Sequence, residues 1–122
     1  MTTLVYDGSF EGLMTAVFEV YEYKYQDAEI ISEIHFQPDF FSEKHQVITS
    51  PEKADRVLKK LDLQIGSSGI KTLLNTYFSE DPNLENVIFH VVKYAVSKPT
   101  EDVMKDFAHP AVLQALQISK IG

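Results

Sequence analysis

Two hydrophobic rhythms follow one another between Leu4 and Tyr25. Leu4, Val5 and Tyr6 form an apolar run of strand type. Asp7-Gly8 behind it is a turn pair, because glycine accepts positive φ and aspartate can bond its own downstream backbone. Ser9 is placed to cap a helix, and Glu11 sets a negative charge against the positive end of the helix dipole. From Phe10 the spacing changes: Phe10, Leu13, Met14, Val17, Phe18, Tyr21 and Tyr25 recur at intervals of three and four, while Glu11, Thr15, Glu19 and Glu22 fall on the opposite arc. The pattern predicts a strand, a tight turn and a long helix with one core face and one wet face.

Residues 26–46 fit no period. Ile30, Ile31, Ile34, Phe36, Phe40 and Phe41 are interleaved with charges and broken by Pro38, which predicts a long loop pinned by its apolar residues, with short extended or 3₁₀ pieces. His45 to Thr49 reads as a second strand, which could pair with the first in either direction. Ser50-Pro51-Glu52 starts a helix with a core stripe of Ala54, Val57, Leu58 and Leu61. Gly66-Ser67-Ser68-Gly69 is a joint before another helix carrying Ile70, Leu73, Leu74, Tyr77 and Phe78. The helix over 84–97 is apolar round most of its circumference and is expected to be the most buried. Thr100 is expected to cap a short turn through Val103, Met104 and Phe107, and His109-Pro110 opens a last helix. Leu113, Leu116, Ile118 and Ile121 are spread around that helix, so some apolar area is expected to stay uncovered, leaving self-association into a homodimer open. The fold class expected is α+β and mostly helical, a single domain over 1–122 with about five helices and a small two-stranded β element.

Composition narrows the chemistry. The chain of 122 residues has no cysteine, which excludes disulfides, thiolate nucleophiles and a cysteine-ligated iron–sulfur cluster held by this chain. A formal net charge of −7 opposes a phosphate backbone unless the cations cluster, so direct DNA contact is possible but disfavoured. No apolar run approaches the roughly 18 residues that suggest a membrane span, and the N-terminus does not read as a secretory signal, so a cytoplasmic location is expected.

Two groups of residues stand out as a candidate functional surface. Asp7, Ser9 and Glu11 surround the strand-to-helix turn, which could bind an anion or dock a partner. Two carboxylates at its mouth and a G-x-x-x-G spacing unlike any phosphate-loop fingerprint favour plain capping instead. Asn86, His90 and Lys93 form the polar stripe of the central helix, where a solvated histidine is the plainer reading. His35, Asp39, Glu43 and His45 invite a metal reading, but their spacing matches no ligand motif, so neither metal nor cofactor is assigned. Lys53, Arg56, Lys59 and Lys60, with Lys71, Lys93 and Lys98, are the cations a nucleic-acid face would need.

The opening run YDGSFEGLMTAVFEVYE also resembles the start of a bacterial DNA metabolism protein family that carries a domain of unknown function. The similarity extends more loosely through SPEKADRVLKKL to HPAVLQAL. The resemblance implies association with a radical SAM protein proposed to act in DNA modification or repair. In some members it also implies fusion to a uracil-DNA glycosylase-like domain. It carries no catalytic residue onto this chain. Family members continue past the position where this sequence ends, so the resemblance implies an N-terminal portion of a longer protein. The function expected is a non-catalytic accessory or interaction domain in DNA metabolism. The alternative is part of a glycosylase-like repair enzyme whose catalytic residues lie beyond residue 122.

Overall fold

A computed structural model describes residues 1–121, with the backbone alone at residue 121. The class is α+β, and the chain divides into two compact units, Met1–Val57 and Leu58–Gly122.

The first unit is built on β1 (Thr2–Tyr6), α1 (Phe10–Glu22), β2 (Ala28–Ser32) and β3 (Glu43–Gln46), and it ends in the first turns of α2 (Pro51–Phe78). The sheet has three strands in the order β2-β1-β3, all parallel, with Leu4 level with Ile30 on one side and His45 on the other. This corrects the expected two-stranded element. The extra strand lies inside the segment read as a loop, and the strand near His45 is shifted toward Glu43. Parallel pairing explains why residues 33–42 are long and irregular. The chain leaves the carboxyl end of β2 and must return to the amino end of β3 beyond β1, a path of about 16 Å along the strands plus two strand spacings. β1, in the middle, is the core of the unit: Leu4, Val5 and Tyr6 are almost fully buried.

The turn behind β1 forms as the sequence predicts. Gly8 has φ +90°, and Ser9 caps α1 by accepting from the Gly12 amide at 2.9 Å. The helix itself departs from the expectation of one wet face. Thr15 and Glu19 are buried, and α1 buries more of its length than the helix over 84–97, which was expected to be the most buried. Thr15 is satisfied locally: its hydroxyl donates to the Glu11 carbonyl at 2.8 Å and accepts from the Ser50 amide at 3.1 Å. Ser50 in turn caps α2, accepting from the Lys53 amide at 3.3 Å.

Within α2, Gly66 sits at φ 69° and ψ 179°, a conformation that breaks the helical path at the expected joint while helix continues on both sides. The second unit then holds α3 (Leu84–Ser97), a single 3₁₀ turn (Val103–Lys105) and α4 (Pro110–Ile121). Two expected helices are thus one kinked element, and the described residues form four α-helices rather than about five. Gln64 donates to the carbonyls of Ala95 and Lys98 at 2.7 and 2.6 Å, closing the C-terminal end of α3. The 3₁₀ turn is capped by Asp102, not Thr100, through a 3.0 Å bond from the Met104 amide. On α4, Val112 and Ile118 are buried, Leu116 is half-buried and Leu113 is exposed; the side chain of Ile121 and the whole of Gly122 lie outside the described residues.

Candidate functional site

The sequence-predicted residues separate into two places. Asp7, Ser9 and Glu11 belong to the first unit; Asn86, His90 and Lys93 belong to the second.

At the carboxyl end of β1, Asp7 acts as a staple. Its Oδ1 accepts from the Ser9 amide at 2.9 Å and the Ser9 hydroxyl at 2.6 Å, and its Oδ2 accepts from the Thr49 hydroxyl at 2.8 Å. The Ser9 hydroxyl above all, joined by the Ser9 amide and Thr49, holds the Asp7 carboxyl below the usual range against the opposing push of burial. The bonds leave no opening for an anion, because a carboxylate already occupies the mouth and the Gly12 amide is taken by Ser9. Gly12, the second glycine of the G-x-x-x-G, is explained by the same contacts. A Cβ there would be driven into Asp7 Oδ1 and would lie 3.0 Å from Ser9 Oγ and Thr49 Oγ1. Glu11 is exposed in the first turn of α1. Thr49 was invisible to a local reading, being 42 positions from its partner.

A second polar assembly was missed by sequence reasoning altogether. Glu19 is 6% exposed, and its Oε1 receives a bond from His45 Nε2 at 2.8 Å while its Oε2 meets Lys53 Nζ at 2.8 Å. Lys53 also reaches Glu22 at 2.7 Å, and the Tyr25 hydroxyl is 2.7 Å from His45 Nδ1. With His45 Nε2–H donating to Glu19, Nδ1 is the acceptor for the Tyr25 hydroxyl in the neutral imidazole. Glu19 first, then Glu22, holds the Lys53 ammonium well above the ordinary lysine range. Burial first, then Tyr23, Glu43 and Glu19, raises the Tyr25 phenol, which stays protonated at neutral pH. Tyr23 stacks on Tyr25 at 5.8 Å and meets the His45 ring edge-on at 4.8 Å. The assembly joins α1, β3 and the start of α2. Its chemistry is that of a clamp: each polar end has a partner, and the raised phenol makes a poor nucleophile.

These bonds also engage residues from two groupings drawn from the sequence. Of the residues considered for a metal, His45 is committed to Glu19 and Tyr25, while Asp39 accepts from the amides of Phe41 and Ser42. Among the described residues no three His, Asp or Glu side chains converge as a metal site. Of the basic stripe, Lys53 is neutralised by two glutamates, and Lys53 and Arg56 lie 5.7 and 5.9 Å from the Phe18 ring.

In the second unit Asn86 and His90 line a groove of about 290 Å³ with Val87, His109, Pro110, Ala111 and Gln114. Lys93 is not among these lining residues; its ammonium lies 5.6 Å from the Phe89 ring. His90 Nδ1 donates to the Asn86 carbonyl at 2.7 Å, leaving Nε2 as an acceptor in the neutral ring. His109 Nδ1 accepts from the Ala111 amide at 3.2 Å, leaving Nε2–H as a donor, and its ring stacks on Tyr94 at 4.0 Å. The Tyr94 hydroxyl bonds Asp106. That bond, with the Ala108 amide, holds the Asp106 carboxyl low, and the same bond, with burial, holds the Tyr94 phenol high. The groove is thus lined by two histidines, two side-chain amide residues and the apolar Val87, Pro110 and Ala111.

The last feature is apolar. Ile34, Phe40 and Phe41 in the β2–β3 connection and Ile48 behind β3 are all strongly exposed, Phe40 at 103% and Phe41 at 91%. No helix among the described residues is long and apolar enough to cross a membrane. No family model matches the chain, and no curated protein or solved structure matches it.

Proposed function

We propose that this chain is a non-catalytic interaction domain in DNA modification or repair, working in the cytoplasm beside a radical SAM protein. The DNA setting and the partner come from the resemblance of the YDGSFEG opening. The observation that carries the interaction role is the pair Phe40 and Phe41, both fully presented to solvent on one turn. Two adjacent aromatic rings left in water forfeit burial worth on the order of 25 cal/mol per Å² each, which a partner surface recovers. The commitment of Lys53 to Glu19 and Glu22 and the net charge of −7 both favour a protein partner over nucleic acid.

Co-purification tests the reading. The full-length protein, tagged and expressed with the radical SAM protein, is expected to retain it at near-equal stoichiometry, identified by mass spectrometry. Recovery of the tagged protein alone, with the radical SAM protein soluble in the flow-through, would contradict the reading.

A further inference from the structure

We infer that the turn at 39–42 is a preset aromatic anchor for a partner protein whose surface holds an apolar pocket rimmed by lysine and arginine. The inference rests on the interaction role proposed above and names the chemistry of the partner. Three observations carry it.

The first is presentation. Phe40 and Phe41 are consecutive residues and both strongly exposed, as a hot-spot pair must be before it enters a pocket.

The second is rigidity. Asp39 Oδ1 accepts from the Phe41 amide at 2.6 Å and the Ser42 amide at 3.0 Å, folding the backbone around the aromatic pair. The turn is then tied to the sheet, since the Glu43 amide donates to the Met1 carbonyl at 3.0 Å as β3 begins. An anchor already held in shape loses little conformational entropy on binding.

The third is charge. Asp39 and Glu43, which flank the aromatic pair along the chain, are exposed, and the neighbouring cation, Lys44, lies 5.1 Å from the Phe36 ring. An acidic rim around an apolar anchor is complemented by a basic rim around an apolar pocket. It repels a nucleic-acid backbone. It also repels a second copy of this chain, which would bring the same two carboxylates and a net charge of −7 to the contact.

The test is a titration calorimetry series on the full chain with the purified radical SAM protein, at about 50 and 300 mM salt. Three proteins are compared: wild type, Phe40→Ala/Phe41→Ala, and Asp39→Ala. All three substitutions are at exposed positions, and matching circular dichroism and melting curves establish that each variant is folded. Expected is a loss of about 30-fold or more for the double variant and roughly 10-fold for Asp39→Ala, whose aromatic rings are intact but no longer held. Wild-type binding is expected to weaken at the higher salt. Wild-type binding that the double variant retains, or that is indifferent to salt, overturns the anchor while leaving the interaction role standing. No wild-type binding overturns both. A wild-type homodimer that the double variant dissolves, or DNA binding that it abolishes, overturns the choice of occupant.

Discussion

At the scale of single residues, the glycines of the opening turn carry opposite physical demands. Gly8 is required by its φ of +90°, so Gly8→Val is expected to lower stability by about 1 kcal/mol or more, read from denaturant midpoints. Gly12 lies in ordinary helix, where alanine would normally gain about 1 kcal/mol. Here the added Cβ would displace the Asp7 carboxylate, so Gly12→Ala is expected to destabilise instead. Asp7 also sets a pH dependence. Its folded carboxyl titrates below the usual value of 3.8, so its contribution is present above that value and is lost as the pH falls through the lower folded value. The melting-temperature advantage of wild type over Asp7→Asn is therefore expected to shrink as the pH falls through 3.8 and below. An advantage that is constant or growing across that range would show that the staple does not titrate as described. The turn was legible in sequence because it is local: Asp-Gly-Ser specifies positive φ and a cap without help from distant residues. Thr49 and the reason for Gly12 were not legible, since both depend on β3 bringing residue 49 back to the turn.

At the scale of elements, the same distinction separates what was read from what was not. Helix starts at Ser9 and Ser50 and the joint at Gly66 follow from caps and a glycine, and the limits of α3 from the flanking Pro82 and Pro99. β2 was hidden because its short run AEIIS acquires meaning only through parallel pairing with β1, which no local period announces. Glu19 was assigned to water because an amphipathic reading treats every carboxylate as wet. Its partners His45 and Lys53 are 26 and 34 positions away. Removing that buried acceptor leaves an imidazole and an ammonium facing a hole, so Glu19→Ala is expected to cost about 2 kcal/mol, while Glu22→Ala, at the exposed end of the clamp, costs a small fraction of that. Equal losses from the two variants would remove the clamp as the tie between α1, β3 and α2. The kink in α2 makes a separate prediction. At φ 69° and ψ 179° only glycine is unstrained, so Gly66→Ala is expected to destabilise by roughly 1–3 kcal/mol, whereas in a straight helix it would stabilise.

At the scale of the whole molecule, the proposed interaction role rests on the charge of −7, the committed Lys53 and the exposed aromatic pair. None of the six residues of the candidate surface read from sequence lies on the aromatic turn; Asp39, weighed there only as a metal ligand, does. Phe40 and Phe41 were read as residues that pin a loop, because an apolar side chain in a sequence is presumed buried until a structure places it outside. Amide hydrogen exchange on the full chain, with and without the radical SAM protein, tests the interaction role most directly. Added protection is predicted over residues 33–48, centred on the Phe41 and Ser42 amides, with the α3–α4 groove at Asn86 and His90 unchanged. Protection confined to that groove, or none anywhere, would contradict it.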